Sequence, residues 1–306
     1  MHSKPCAIVY VGGVDAFGDL FRGVRADGAL FGRTVLTSPW ALRFVDGASL
    51  TMCTMINGSG WLISADGERT HIPPRGTVIV RGPAPFEIVD DPTRVIDDAL
   101  DIRCATTCSS TLGDGDSAMV VGAYTFERGV GRRLLAALPP VIVAPEECNE
   151  GDDAVLRFIA EEAAADRPGQ QVVLDRLLDW LLVCTLRAWF DRPGGDPPAW
   201  YQAQGDPVVG QALRALHSDP ARTWTVASLA SEAGVSRAAL AKRFTALVGE
   251  PPLTYLTGWR MDLAADLLAE PGSTVAAVAR RVGYADGFAF SAAFKRVRGI
   301  APSALR

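Results

Sequence analysis

Between residues 30 and 126 the apolar positions come in short runs broken by turn chemistry. Strands are predicted over 30–36, 40–45, 49–56, 60–64, 77–81, 86–89 and 118–126. The breaks carry Asn57-Gly58, Ala65-Asp66-Gly67, Pro73-Pro74-Arg75-Gly76 and Asp114-Gly115-Asp116, residue pairs that suit hairpins and tight turns. Many short strands at about ten-residue spacing predict a small barrel or sandwich. From Asp152 the period changes to that of a helix. Segments 154–165 and 171–190 are predicted helices, separated by Arg167-Pro168-Gly169. In the second, Leu174, Leu177, Leu178, Leu181, Leu182, Leu186 and Trp189 form a broad apolar surface, which needs either the strand-rich region or the same helix of another subunit against it. Arg192-Pro193-Gly194-Gly195-Asp196-Pro197-Pro198 then breaks regular structure and marks a linker.

Beyond the linker the pattern is helical throughout: 207–217, 226–233, 237–248, 252–269, 275–282 and 288–297. It also repeats at about 50 residues. Ala-Ser-Glu-Ala-Gly-Val at 230–235 is answered by Ala-Arg-Arg-Val-Gly-Tyr at 279–284, and Leu240 with Phe244 by Phe290 with Phe294. Each copy is a short helix, a glycine-containing turn and a second helix, the helix-turn-helix arrangement. Helical spacing turns Leu240, Phe244, Leu247 and Val248 inward in the first copy and Phe290, Phe294 and Val297 inward in the second. It leaves Arg237, Ala238, Ala241, Lys242 and Thr245 outside in one, and Phe288, Ala289, Ala292, Lys295 and Arg296 outside in the other. Two such helices joined by the rigid helix 252–269 could enter successive major grooves, about 34 Å apart on one face of B-DNA.

Charge sharpens this picture. The chain of 306 residues has a net charge of −5, yet residues 206–306 hold 12 basic against 8 acidic side chains. The remaining 205 residues hold 18 basic against 27 acidic ones, so a basic module follows an acidic body, as a nucleic-acid contact surface requires. At 48% apolar and 21% charged residues the chain is not disordered, and no apolar run approaches the 18 or so residues of a membrane span. The opening Met1-His2-Ser3-Lys4-Pro5-Cys6 leads into no signal-peptide core, so a soluble, cytoplasmic protein without membrane contact is expected. Six cysteines are too few for a disulfide scaffold. With only three histidines, neither a multi-histidine metal site nor a Ser-His-Asp triad can be assembled, so no catalytic residue, metal or cofactor is assigned.

The repeat is similar to a known family. Ser236-Arg237-Ala238-Ala239-Leu240-Ala241-Lys242-Arg243-Phe244, Gly249-Glu250-Pro251-Pro252, Trp259-Arg260-Met261, Gly283-Tyr284, Phe290-Ser291, Phe294-Lys295 and Gly299-Ile300-Ala301-Pro302 together resemble the AraC/XylS-type DNA-binding domain. The likeness covers about 100 residues and departs at Ser303-Ala304-Leu305-Arg306, which replaces the usual aromatic-Arg ending. The N-terminal half is similar to the cupin-type sensor domain of one branch, the reactive-chlorine regulators, at Ser38-Pro39-Trp40-Ala41-Leu42-Arg43-Phe44, Gly58-Ser59-Gly60-Trp61-Leu62, Val121-Gly122-Ala123-Tyr124 and Leu134-Leu135. The resemblance implies an α+β protein: an N-terminal cupin-like β-barrel with flanking helices, and a C-terminal all-α domain with two helix-turn-helix motifs joined by a helix. The expected divisions are 1–150 sensor, 151–192 helical hairpin and dimerisation element, 193–205 linker and 206–306 DNA-binding domain.

Carried across residue by residue, the family's contacts put Arg237, Ala238 and Lys242 of the first motif and Phe288, Ala289 and Ala292 of the second at the groove. Arg237 and Lys242 suit guanine or phosphate, whereas Ala238, Phe288 and Ala289 suit thymine methyls or sugar edges. Ser236, Lys295, Arg296 and the amides opening both recognition helices are expected phosphate anchors. The implied partners are double-stranded promoter DNA, RNA polymerase, a second copy of the chain, and a small-molecule or oxidant effector.

Cupins often hold a metal through histidines and a glutamate; the corresponding places here carry Met52-Cys53-Thr54 and Pro85-Phe86-Glu87, so the usual ligands are missing. Cys53 with Glu87 or His71 would be a substitute thiolate site. Cys104 and Cys108, beside Arg103, are a candidate redox pair with Cys53 as a further sensor residue, and relatives with this sensor domain respond to reactive chlorine through cysteines. Four residues apart in a strand they would lie about 13 Å from each other, so a disulfide requires a turn there. The alternative reading is a cupin-type metal-dependent enzyme with an accessory helical domain.

Overall fold

Strands β1 (Leu30–Leu36), β2 (Ala41–Phe44), β3 (Leu50–Asn57), β4 (Gly60–Ile63), β5 (Arg69–Ile72), β6 (Thr77–Arg81), β7 (Phe86–Val89), β8 (Leu100–Ile102), β9 (Ser117–Tyr124) and β10 (Val141–Val143) form two five-stranded sheets. The helices are α1 (Ala16–Phe21), α2 (Gly129–Ala136), α3 (Asn149–Ala164), α4 (Gln170–Asp191), α5 (Ala199–Gln202), α6 (Val209–Ser218), α7 (Val226–Glu232), α8 (Arg237–Val248), α9 (Pro252–Ala269), α10 (Val275–Arg281) and α11 (Gly287–Arg298). The structure is a computed structural model; it describes residues 16–21, 30–45, 47–93, 99–102, 117–126, 129–144, 149–165, 167–195 and 197–305. Cys104 and Cys108 lie outside the described residues.

The chain divides into two compact units, one of residues 23–197 and the other combining residues 1–22 with 198–306. In the first, one sheet has the order β1-β9-β3-β6-β10 and the other β5-β4-β7-β2-β8. The described pairings are antiparallel except β2 with β8. Alternation sends Cys53, Met55, Val78, Val80, Met119, Val121 and Ala123 of the first sheet against Leu42, Phe44, Leu62, Ile72, Phe86 and Ile88 of the second. The described interior is apolar apart from the buried Thr51, which pairs across the strands with the inward Val80 and Ala123, and Phe44 stacks on Phe86 at 4.6 Å.

The first sheet is buried on its other face too, which is why β3 reads as an almost unbroken apolar run. There the hairpin of α3 and α4 covers it. Tyr124 donates its hydroxyl to the Leu178 carbonyl at 2.9 Å, and a Cβ on Gly122 would lie only 3.0 Å from the Leu178 side chain. Burial, with the negative charges of Asp179 and Asp175, pushes the Tyr124 hydroxyl well above its usual pKa, so it stays a donor. The outer face of the second sheet is polar and solvated: Arg43 bonds Glu87 at 2.7 Å with Asp101 beside it, and Trp61 packs on His71 at 4.9 Å.

Strands β5, β8 and β10 escape the sequence reading because they are three or four residues long, with too few positions to show a period. The stretch predicted as linker holds α5, whose Trp200 and the following Ala203 are buried. Two side chains predicted inward are exposed: Leu247 at 37% and Val297 at 42%, both in the last turn of their helices, whereas Ala293 is buried instead. Among the described residues no helix is long and apolar enough to cross a membrane.

In the second unit α1 packs with the C-terminal helices. Phe17 contacts Tyr201 at 5.4 Å, and the buried Asp19 carboxylate lies 2.7 Å from Nδ1 of His217. The other ring nitrogen, Nε2, lies 2.8 Å from the Tyr255 hydroxyl, so the imidazole is bonded on both sides within an apolar surround that includes Trp259. Around α9, buried Met261, Ala264, Ala265 and Leu268 join Val278, Ala279, Val282, Phe290, Ala293 and Phe294 in a single cluster, which fixes α10 and α11 against the central helix.

Candidate nucleic-acid interface

The two helix-turn-helix motifs are built from the same local devices. Each first helix is capped by threonine: Thr225 Oγ1 accepts from the Ser228 amide at 3.0 Å, and Thr274 Oγ1 from the Ala277 amide at 3.2 Å. Each turn holds a glycine with positive φ, Gly234 at 68° and Gly283 at 84°. A six-residue hydrogen bond then closes each turn, Val235 N to Ala230 O at 3.0 Å and Tyr284 N to Ala279 O at 2.8 Å. The second helices, α8 and α11, both end at left-handed glycines, Gly249 and Gly299. The repeat seen in the sequence is thus a repeat of backbone geometry, with one residue more between the helices of the second motif.

The outward faces differ chemically. On α8, Ser236, Arg237, Ala238 and Lys242 are exposed. On α11 the exposed residues include Phe288, Ala289, Ala292, Lys295 and Arg296, with Phe288 at 88%. Arg237, Lys242, Lys295 and Arg296 form no ion pair among the described residues, whereas neighbouring arginines are committed to the fold. Arg243 holds Asp206 at 2.6 Å, Arg298 holds Asp262 at 2.9 Å, and Arg260 donates to the carbonyls of Pro220 and Arg222. Burial raises the Asp206 carboxyl, but amide bonds from Val209 and Val208 and the bond and charge of Arg243 outweigh it and hold the group below its usual range.

The helix starts bring a correction. The amides opening both helices were expected to meet phosphate; at α8 Ser236 Oγ engages only the Ala239 amide, whereas at α11 the Asp286 carboxylate accepts from the amides of both Phe288 and Ala289, at 3.1 and 3.0 Å. At α11 the cap is also anionic and repels phosphate. Sequence reasoning passed over Asp286; its place directly before a helical run is the signal that would have found it.

In the N-terminal unit the substitute metal site is not assembled. Cys53 faces the apolar interior and is 1% exposed, while Glu87 and His71 lie on the solvated face of the opposite sheet, because Ile88 and Ile72 take the inward positions. Among the described residues no group of three or more His, Cys, Asp or Glu is placed to hold a metal. Cys53 is thus buried among apolar side chains, away from the solvent.

Residues 15–191 match the cupin family model and residues 229–306 a helix-turn-helix domain model. The chain is 32% identical over 299 residues to a putative AraC-like transcription regulator of Streptomyces lividans, covering 96% of this chain and 98% of that one. The chain belongs to the AraC-like transcription regulators. It is also 28% identical over 305 residues to the HTH-type transcriptional regulator AlkR of Acinetobacter baylyi, covering 92% of this chain and 96% of the relative. With the RCS-specific HTH-type transcriptional activator RclR of Escherichia coli it shares 28% identity over 198 residues, covering 63% of this chain and 69% of the relative. This AraC-like regulator carries its cupin sheets and its paired helix-turn-helix motifs in one chain, and its function is DNA-binding transcription regulation. The α+β architecture expected from the sequence is observed, with the sheets N-terminal and the paired motifs C-terminal.

Proposed function

We propose that the AraC-like regulator grips promoter DNA with both motifs, that the first supplies most of the hydrogen-bonded readout, and that the cupin unit controls the grip. The observation that carries this reading is the pairing of two geometrically matched motifs whose recognition helices expose Arg237, Lys242, Lys295 and Arg296 with no ion pair among the described residues, while Arg243, Arg281 and Arg298 are held in ion pairs. Arg237 and Lys242 donate to guanine or to phosphate from the first recognition helix; Ser236, Lys295 and Arg296 meet phosphate; Ala238, Phe288, Ala289 and Ala292 lie against the bases. RNA polymerase is the expected protein partner at the promoter.

Control enters through the cupin unit either as a small apolar molecule, which the apolar interior suits, or as an oxidant acting at Cys104 and Cys108. Fluorescence anisotropy of the full chain on the DNA upstream of its own gene, against a scrambled duplex, tests the reading. Specific binding that falls on mild oxidation, returns with thiol and is indifferent to redox in Cys104→Ser supports the cysteine route. Specific binding insensitive to oxidation in the parent protein supports an apolar effector, and equal binding to the scrambled duplex argues against the function proposed for this promoter.

The regulator is proposed to act as a homodimer through the outer surface of the helical hairpin. There Phe158 is 47% exposed on α3, and Val173 and Trp180, seven residues apart on α4, are 39% and 43% exposed along one face. Trp180→Glu is expected to convert a dimer into a monomer at micromolar concentration in analytical ultracentrifugation while leaving thermal unfolding of the cupin unit in place. An unchanged dimer would move the interface elsewhere.

A further inference from the structure

The second recognition helix carries a feature that hydrogen-bonded readout leaves unused. Phe288, in the first turn of α11, is 88% exposed, more than any other large apolar side chain among those described as exposed. Its neighbours on the outward surface are small, Ala289 and Ala292, so the helix backbone can approach a surface closely around the ring. Lys295 follows seven residues after Phe288 on the same stripe, with Arg296 beside it, placing two exposed cations about 11 Å along the helix from the ring. Asp286, the acidic residue that caps this tip, is engaged by the amides of Phe288 and Ala289. The tip thus presents an aromatic ring and methyl groups, with no unengaged side-chain donor, and the cations lie behind it.

The major groove offers one apolar feature, the C5-methyl group of thymine, and its walls are lines of phosphate. We propose that the second motif reads thymine through its methyl group, with Phe288 as the specificity-determining contact and Lys295 and Arg296 holding the flanking backbone. The two motifs then read by opposite chemistry, donors from α8 and apolar contact from α11, and the operator is expected to pair a guanine-containing half with a thymine-containing half. The proposal rests on α11 being a groove helix, as proposed above. The cations about 11 Å behind the ring favour DNA over an apolar protein surface as its occupant.

The test uses the full chain and a duplex selected by it from a random library. Each thymine in the half under the second motif is replaced singly by deoxyuridine, which removes the methyl and keeps the base pair. Burying one such carbon is expected to be worth about four-fold in affinity, so one or two uracil positions weaken binding by that factor in the parent protein. In Phe288→Ala the thymine duplex binds more weakly and the difference between thymine and uracil disappears at those positions. No uracil effect in the parent protein, or the same effect in Phe288→Ala, overturns the proposal. So does a Phe288→Ala variant with intact DNA binding and discrimination but altered transcription or oligomeric state, which assigns the ring to a protein partner. If the selected duplex is bound no better than a scrambled one, and Arg237→Ala is equally without effect, the DNA reading beneath the proposal fails with it.

Discussion

Alanine at position 283 is expected to destabilise the DNA-binding helices by about 3 kcal/mol, and alanine at the equivalent position 234 by only about 1 kcal/mol. Both glycines take positive φ in the turn between the two helices of a motif, so both substitutions incur the backbone cost of a left-handed residue. Their surroundings differ. Nothing lies within 4 Å of a Cβ built on Gly234, whereas one on Gly283 would overlap the backbone oxygen of Ala221 and stand 2.8 Å from the Arg260 guanidinium. Arg260 cannot move away cheaply, because it holds the carbonyls of Pro220 and Arg222 and is itself half-buried. Urea unfolding of the two variants, followed by tryptophan fluorescence, checks the difference; equal losses would mean that the 220–222 segment yields and the steric argument is wrong.

The second large effect is on DNA. Replacing Arg237 and Lys242 together by alanine is expected to lower affinity for the operator about a hundredfold, since each well-placed donor to a base or phosphate is worth roughly 1–3 kcal/mol. Both side chains are exposed and neither is ion-paired among the described residues, so folding should be unchanged. The loss also has a signature in salt. The slope of log affinity against log salt should shrink by up to about two if both residues meet phosphate, and by less if they meet guanine. Anisotropy titrations at several salt concentrations read both quantities, and an affinity unchanged in the double variant would move the interface off α8.

Much of this molecule is written locally. The ends of α8 and α9 match the predicted 237–248 and 252–269 because caps and terminators sit at fixed places: Ser236 and Gly249 bound one helix, and Pro252 opens the next. The repeat of about 50 residues reappears as matched caps, turns and terminal glycines. What the sequence does not show is set by distance along the chain. Arg243 reads as one more basic residue on a helix until Asp206, 37 residues away, is seen to bind it. Cys53, Glu87 and His71 looked like candidates for one site because pattern alone cannot tell which of two sheets a strand joins, nor that Glu87 and His71 face away from the interior that Cys53 faces. Asp19 is legible only in retrospect: its partner His217 is 198 positions away.

That last contact gives the chain an unusual order. The compact unit that holds both motifs also includes α1, so residues 23–197 are inserted within that unit rather than strung before it. A protease nick in the Pro-Gly stretch near residue 195 would leave the cupin unit covalently attached to α1, and α1 buried against His217, Tyr255 and Tyr201 by its carboxylate and phenylalanines. Releasing the reading unit intact takes two cuts, and a recombinant fragment that begins at residue 198 leaves behind the carboxylate that faces His217.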